Sequence, residues 1–336
     1  MTLPSAPDAS TPAHRSDRPR ICFCIPASPD DGFFSQLALF RLSLDTLGDI
    51  YRDAHLFVTL GGREPVTTPE RWSSSLARNT SVRHVGADLF DRYGPFAQGN
   101  ARLLHDYDGF DAVIFCDADT LFVRPIDDLL SESRAEPAVA GVIAHYPFPH
   151  DDGEDVEALW HALARAHAGR PIRLDHHHTL VPYRDRAGFP RCPFYVNHGF
   201  VLLKPAVIRT IAASYLEIRD RLLGQAKNPR FTGQMALTLA LLRHEVPTRA
   251  VGMRFNFPND PVADRLHPEE LADVRMLHYL RTERFDRSAI LTTPANFASF
   301  LTLPLTGSDL LLQRHVRRIT GGHYPFPASP EAVKPA

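Results

Sequence analysis

The sequence predicts an α/β fold with a mostly parallel central sheet and helices on both faces. Three observations predict it. Apolar runs at 20–25, 54–60 and 111–116 are short and continuous, as in strands buried on both faces. Segments with helical apolar spacing lie between them, so strand and helix alternate. The run 111–116 leads straight into two aspartates, Asp117 and Asp119, and such sheets bind ligands beyond the carboxyl ends of their strands.

Taken in order, residues 20–25 (RICFCI) read as a buried first strand closed by Pro26. Residues 33–47 read as a helix stopped by Gly48. Residues 54–60 form a second strand closed by Gly61-Gly62, and 81–85 a short third. Residues 99–107 read as a helix and 111–116 (DAVIFC) as a fourth, fully buried strand. Further on, 138–144 and 194–204 are strand-like, and 155–168, 206–223 and 232–243 are helical. Residues 276–280 are a short apolar stretch, and 294–300 and 308–319 are C-terminal helices.

The bulk properties narrow the function. Net charge is near zero, with 37 basic against 39 acidic residues, which excludes a nucleic-acid binder working through a general basic surface. Lysine occurs only at Lys204, Lys227 and Lys334, so arginine carries the positive charge, and its planar fork suits diphosphates and carboxylates. Cys22, Cys24, Cys116 and Cys192 read as small core residues in a reducing compartment. No run of about 18 apolar residues marks a membrane span. A cytoplasmic enzyme, peripheral if its acceptor is membrane-linked, is the expectation. Residues 1–19 lack a signal peptide's apolar core and read as a disordered tail; 325–336 read as a proline-rich tail. Between them, 20–324 read as one domain, with a nucleotide-binding half over about 20–130 and a donor-sugar and acceptor half over about 131–324.

Asp-x-Asp alone means little, and Asp106-Tyr107-Asp108 is a second instance. That pair precedes Gly109, where a cap or turn is the plain reading. Asp117-Ala118-Asp119 instead follows five apolar residues at a strand end. In extended chain the two carboxylates point the same way. Without a cation they repel, and one pKa rises; a divalent ion removes the conflict. Oxygen ligands favour Mg²⁺, Mn²⁺ or Ca²⁺, and such an ion can bridge a diphosphate and stabilise it as a leaving group. The alternative is that Asp119 caps a following turn.

Residues 110–130 (FDAVIFCDADTLFVRPIDDLL) closely resemble the metal-site segment of glycosyltransferases with the GT-A (Rossmann-like) fold, most of all the glycogenin-like retaining enzymes (family 8). Asp117, Asp119, Thr120, Leu121, Ile126, Asp127 and Leu129 match the pattern. Asn197 and Gly199 in 195–204, Gln234 in 232–242 and His278 in 277–286 fall in the matching order and spacing. The similarity runs from about 20 to 287 and implies the GT-A fold with a smaller C-terminal acceptor lobe. It also implies transfer of a sugar from a nucleotide-diphosphate sugar, UDP foremost, to an acceptor hydroxyl with retention. Asp117, Asp119 and His278 would hold Mn²⁺ or Mg²⁺, Asn197 and Gln234 would face the reacting sugar, and Arg284 would stand in for a phosphate-binding lysine. Pro26, Ala27 and Ser28 would lie beside base and ribose, with Ala118 and Arg102 also at the donor. The acceptor, whether glycan, protein or small molecule, stays open.

The departures are specific. Gly233 stands where the family has an acid before Gln234, and His198 where it has serine. Arg281 replaces a glycine, and Phe285-Asp286 replace Pro-Trp. These changes put the sugar and the retaining outcome in question. An inverting enzyme would need a carboxylate base, and Asp151, Asp152 and Asp175 are the candidates, each also readable as a solvated loop acid. In Asp175-His176-His177-His178 only His176 and His178 share a side, and zinc usually wants three or four ligands. Tyr183, Arg184, Arg186 and Arg191 are candidates for an anionic acceptor, and Trp160 for core or a sugar platform. Two rival readings remain: a non-catalytic nucleotide-sugar or glycan-binding module on the same fold, supported by Gly233, and a sugar-phosphate nucleotidyltransferase. The latter would need a glycine-rich loop where this chain has Pro26-Ala27-Ser28-Pro29-Asp30-Asp31.

Overall fold

The computed structural model describes residues 18–135, 139–181, 188–225 and 228–326. The expected tails lie almost wholly outside the described residues, as do Tyr183, Arg184 and Arg186.

The described strands are β1 (Ile21–Ala27), β2 (His55–Leu60), β3 (Thr80–His84), β4 (Ala112–Cys116), β5 (Thr120–Phe122), β6 (Val139–Ile143), β7 (Val196–Leu203), β8 (Thr248–Ala250), β9 (Phe257–Pro258) and β10 (Met276–His278). Seven form the central sheet in the order β3-β2-β1-β4-β7-β6-β8. Every pairing is parallel except those of β7, which runs against both β4 and β6. The expected mostly parallel α/β sheet is thus present, and it joins both halves of the chain through the β4–β7 ladder.

Both faces are covered. In β1, Ile21, Phe23 and Ile25 enter one core with Phe34, Leu37 and Phe40 of helix Asp31–Asp45. Cys22 and Cys24 enter the other, with Ile211 and Tyr215 of helix Pro205–Leu223 and Leu239 of helix Thr232–Arg243. Period-two alternation in one strand therefore feeds two separate cores. The C-terminal helices Pro294–Thr302 and Gly307–Thr320 return to the first core through Phe297, Phe300, Leu312 and Val316. All four cysteines are buried and free. Among the described residues no helix is long and apolar enough to cross a membrane.

Local chemistry explains most boundaries. Asp30 caps its helix by accepting from Phe33 N, and Asp155 accepts from Glu157 N and Ala158 N. Three expectations need correction. Pro26 does not close β1, which stays paired to β2 through Ala27↔Leu60; its register with β4 stops at Cys24, so the missing N–H faces less of a ladder. The helix expected at 99–107 is a five-residue helix, Ala97–Ala101, followed by a 3-10 turn, Arg102–Leu104. There Tyr107 Oη donates to Arg102 O at 2.6 Å, taking a carbonyl that a longer helix would need. The helix at 155–168 is α-helical over Val156–Leu163 and widens to a π turn over Ala164–Ala168.

Candidate active site

Asp117-Ala118-Asp119 turns the chain from the carboxyl end of β4 into β5. Thr120 Oγ1 donates to Asp117 O at 2.7 Å, fixing the turn from within. Neither carboxylate is spent on helix capping. β5 pairs antiparallel with β10, and the register sets His278 opposite Thr120. Tyr279 N donates to Asp119 O at 2.9 Å and extends this tie. The ladder thereby delivers a distant histidine to the strand tip. His278 Nε2 lies 3.3 Å from Asp119 Oδ1 and 3.9 Å from Asp117 Oδ2. One ligand atom from each residue falls within 4.8 Å of the others. It is the one such group of His, Cys, Asp and Glu side chains among the described residues.

The electrostatics are those of a crowded anionic pair. Burial raises the Asp117 pKa, His278 opposes that rise, and the Asp119 charge adds to it. Burial also disfavours the Asp119 charge, but His278, its hydrogen bond and Arg287 hold that carboxyl down at about 2. For His278, burial works against the cation, and the charge and hydrogen bond of Asp119 outweigh it, so its pKa is raised. Two carboxylates and an imidazole form an oxygen-rich donor set with one carboxylate still in conflict. That is chemistry fitted to a divalent cation.

Residues of β7 and β9 hold the histidine. A Cβ on Gly199 would lie 2.6 Å from His278 Nδ1 and 2.8 Å from Asn256 Oδ1, so only glycine lets β7 approach the ring this closely. Asn197 Oδ1 accepts from Gly199 N at 2.8 Å and from Asn256 Nδ2 at 3.0 Å. β9 runs parallel to β10, and Asn259 N donates to His278 O at 3.1 Å. Asn259 Oδ1 accepts from Arg281 N at 2.8 Å, and the Arg281 side chain pairs with Asp260.

The remaining expected residues divide. Arg102 is buried beside the strand tip, with its guanidinium 4.6 Å from the Phe115 ring. Gln234 is half-buried in the first turn of helix Thr232–Arg243. Pro26 and Ala27 end β1 and Ser28 follows it; Ala27 O accepts from Gly61 N at 2.9 Å. Ala118 is buried, and its carbonyl accepts from Tyr279 Oη at 3.5 Å. Arg284 is exposed, and its charge is felt at Asp309. The cation beside the carboxylates is Arg287, whose Nη1 pairs with Asp119 Oδ2. Sequence reading missed Arg287 because it lies just past the matching segment, three positions after Arg284. Asn256 and Asn259 were missed because an Asn-Pro-rich stretch reads simply as a loop.

Other clusters resolve as structure. Asp106 Oδ1 accepts from Asp108 N at 2.9 Å, closing a turn. His178 is buried with Nδ1 on Ala144 O at 3.0 Å, and His176 bridges to Cys192 through backbone. Trp160 packs in the core against Phe148 and Tyr195. Asp151, Asp152, Asp175 and Arg191 are exposed.

No protein-family model and no curated protein matches the sequence. Solved structures do match the fold. The galactosyltransferase LgtC in complex with donor and acceptor sugar analogs is 14% identical with a TM-score of 0.51, over 87% of this chain and 99% of that one. An active-site mutant of LgtC is 13% identical with a TM-score of 0.51, over 91% and 97%. Apo mouse xyloside xylosyltransferase 1 is 13% identical with a TM-score of 0.47, over 78% and 98%. The LgtC likeness shows that this chain has the GT-A fold.

Proposed function

We propose that this chain transfers a sugar from a nucleotide-diphosphate sugar to an acceptor hydroxyl, with a divalent cation held by Asp117, Asp119 and His278. The observation that carries the proposal is the convergence of these three side chains, within 4.8 Å, at the carboxyl end of a central strand. The GT-A fold supports it, since fold alone does not set function but raises the weight of a fitting site. When bound, the ion would draw charge off the departing diphosphate.

The chain's own groups would do the rest. Arg287 sits on Asp119, and a guanidinium released from that carboxylate offers two parallel donors to a phosphate. Arg284, exposed on the same segment, is available to the outer phosphate. Asn197 is held by Asn256, so its orientation toward the donor sugar is set before binding. Gln234 would approach the reacting sugar from the helix start, and Arg102 from beneath it. The end of β1, at Pro26, Ala27 and Ser28, would flank base and ribose, with Ala118 turning the backbone toward the phosphates. UDP as the nucleotide and retention as the outcome are carried by the sequence resemblance.

The test is nucleotide-diphosphate release from a panel of UDP-sugars, with and without Mn²⁺, alongside thermal shift. Release that requires Mn²⁺ is expected. Stabilisation by UDP-sugar and Mn²⁺ without turnover of any donor would instead establish the binding module.

A further inference from the structure

A buried cation lies near the strand tip. Arg102 is 3% exposed, and no ion pair joins it to a carboxylate among the described residues. Its charge reaches Asp117 from beyond ion-pair distance. Nη2 donates to His198 Nδ1 at 2.9 Å, and Nη1 is buried without a partner. Arginine offers no lone pair, so His198 Nδ1 must be the acceptor and the neutral ring carries its proton on Nε2. Burial first, then the Arg102 charge, keeps His198 neutral. That Nε2–H is also buried and unpartnered.

A third unpaired donor lies in the same cluster. Asn100 Oδ1 accepts from Tyr215 Oη at 3.3 Å, and Asn100 Nδ2 is buried without a partner. Gly233 links the two pairs: a Cβ there would lie 3.1 Å from Tyr215 Oη and 3.5 Å from His198 Cε1. The position that borders Tyr215 and His198 therefore carries no side chain and no charge. A sugar hydroxyl placed there would bring a proton needing an acceptor of its own. An ionised carboxylate only accepts, and it would also pair the buried cation, whose isolation is strongly unfavourable.

We propose that Arg102, His198 and Asn100 read a carboxylate on the transferred sugar, so that the donor is a nucleotide-linked hexuronic acid. This rests on the transferase reading above and adds the substrate class. The competing anion is a phosphate of the donor itself, which every nucleotide sugar shares.

The experiment compares kcat/KM for UDP release, with Mn²⁺, from UDP-glucuronate and UDP-galacturonate against UDP-glucose and UDP-galactose. The expected result is a preference for a uronate of at least about tenfold. Gly233→Asp places a carboxylate beside His198 and Tyr215, and the preference reverses toward neutral sugars. Arg102→Met removes the cation, and the preference, read as the ratio of kcat/KM for uronate over neutral donors, falls to about threefold or less. If Gly233→Asp shows no cooperative melt, Arg102→Met decides. Neutral donors used as well as uronates would overturn the inference and leave the transferase standing. Equal loss for both donor classes in Arg102→Met would assign Arg102 to phosphate and also overturn it. Release of UDP from no donor would instead fail the transferase reading itself, and this inference with it.

Discussion

Gly199 and His278 meet through the space where a side chain would stand: a Cβ on Gly199 would fall 2.6 Å from His278 Nδ1. The imidazole is thus positioned by the absence of an atom on β7 as much as by the β5–β10 ladder. Gly199→Ala should push the ring off the Asp117–Asp119 pair. We expect a stability loss of about 1–3 kcal/mol and weaker Mn²⁺ binding, read by urea denaturation and by Mn²⁺ titration. Unchanged Mn²⁺ affinity would remove Gly199 from the site.

Asp119→Asn keeps the shape of the side chain and removes its charge, leaving Arg287 and His278 without their shared anion. Metal affinity should fall by at least about 100-fold, and Mn²⁺-dependent UDP release should drop with it. The far-ultraviolet circular dichroism should stay as in the parent. Full activity in this variant would refute the metal assignment.

Arg287 and Arg284 can be told apart. Arg287 contacts Asp119, whereas Arg284 is exposed. Arg287→Met should lower kcat/KM for donor by roughly 10²-fold, the scale of one lost charge-stabilising donor. Arg284→Met should cost less than about tenfold. The reverse order would place the diphosphate on Arg284.

Acid should destabilise the fold by a definable route. Burial above all holds His145 and His315 neutral, with pKa values lowered to about 3, and His105 and His178 to about 4. An unfolded histidine titrates at about 6.5. Between that value and the folded one, the unfolded chain binds protons that the folded chain refuses, so stability falls as pH drops below about 6.5. Each fully engaged histidine contributes a slope of about 1.4 kcal/mol per pH unit. Urea denaturation at pH 7, 6, 5 and 4 should show the decline, and His315→Gln should flatten it by about one proton. An unchanged slope in that variant would show that His315 is not the group responsible.

Much of this was legible locally. The buried runs that became β1, β2 and β4, the helices Pro205–Leu223 and Thr232–Arg243, and Asp117 and Asp119 at a strand end all follow from patterns within a dozen residues. The limits of β1 and of helix Ala97–Ala101 were less legible. In the first, a neighbouring ladder tolerated Pro26; in the second, Tyr107 took a carbonyl that the helical pattern alone would assign to the next turn.

What the sequence determined by itself was the alternation of strand and helix and the carboxylate pair at a buried strand's tip, because burial period and backbone chemistry are short-range. The pairing of β10 with β5 and β9 lay beyond its reach. So did the choice of Arg287 rather than Arg284 beside Asp119, and the meeting of the Arg102–His198 and Asn100–Tyr215 pairs at Gly233. Those depend on hydrogen-bond ladders and side-chain volumes brought together from far apart in the chain, and only closure of the tertiary structure fixes which of them touch.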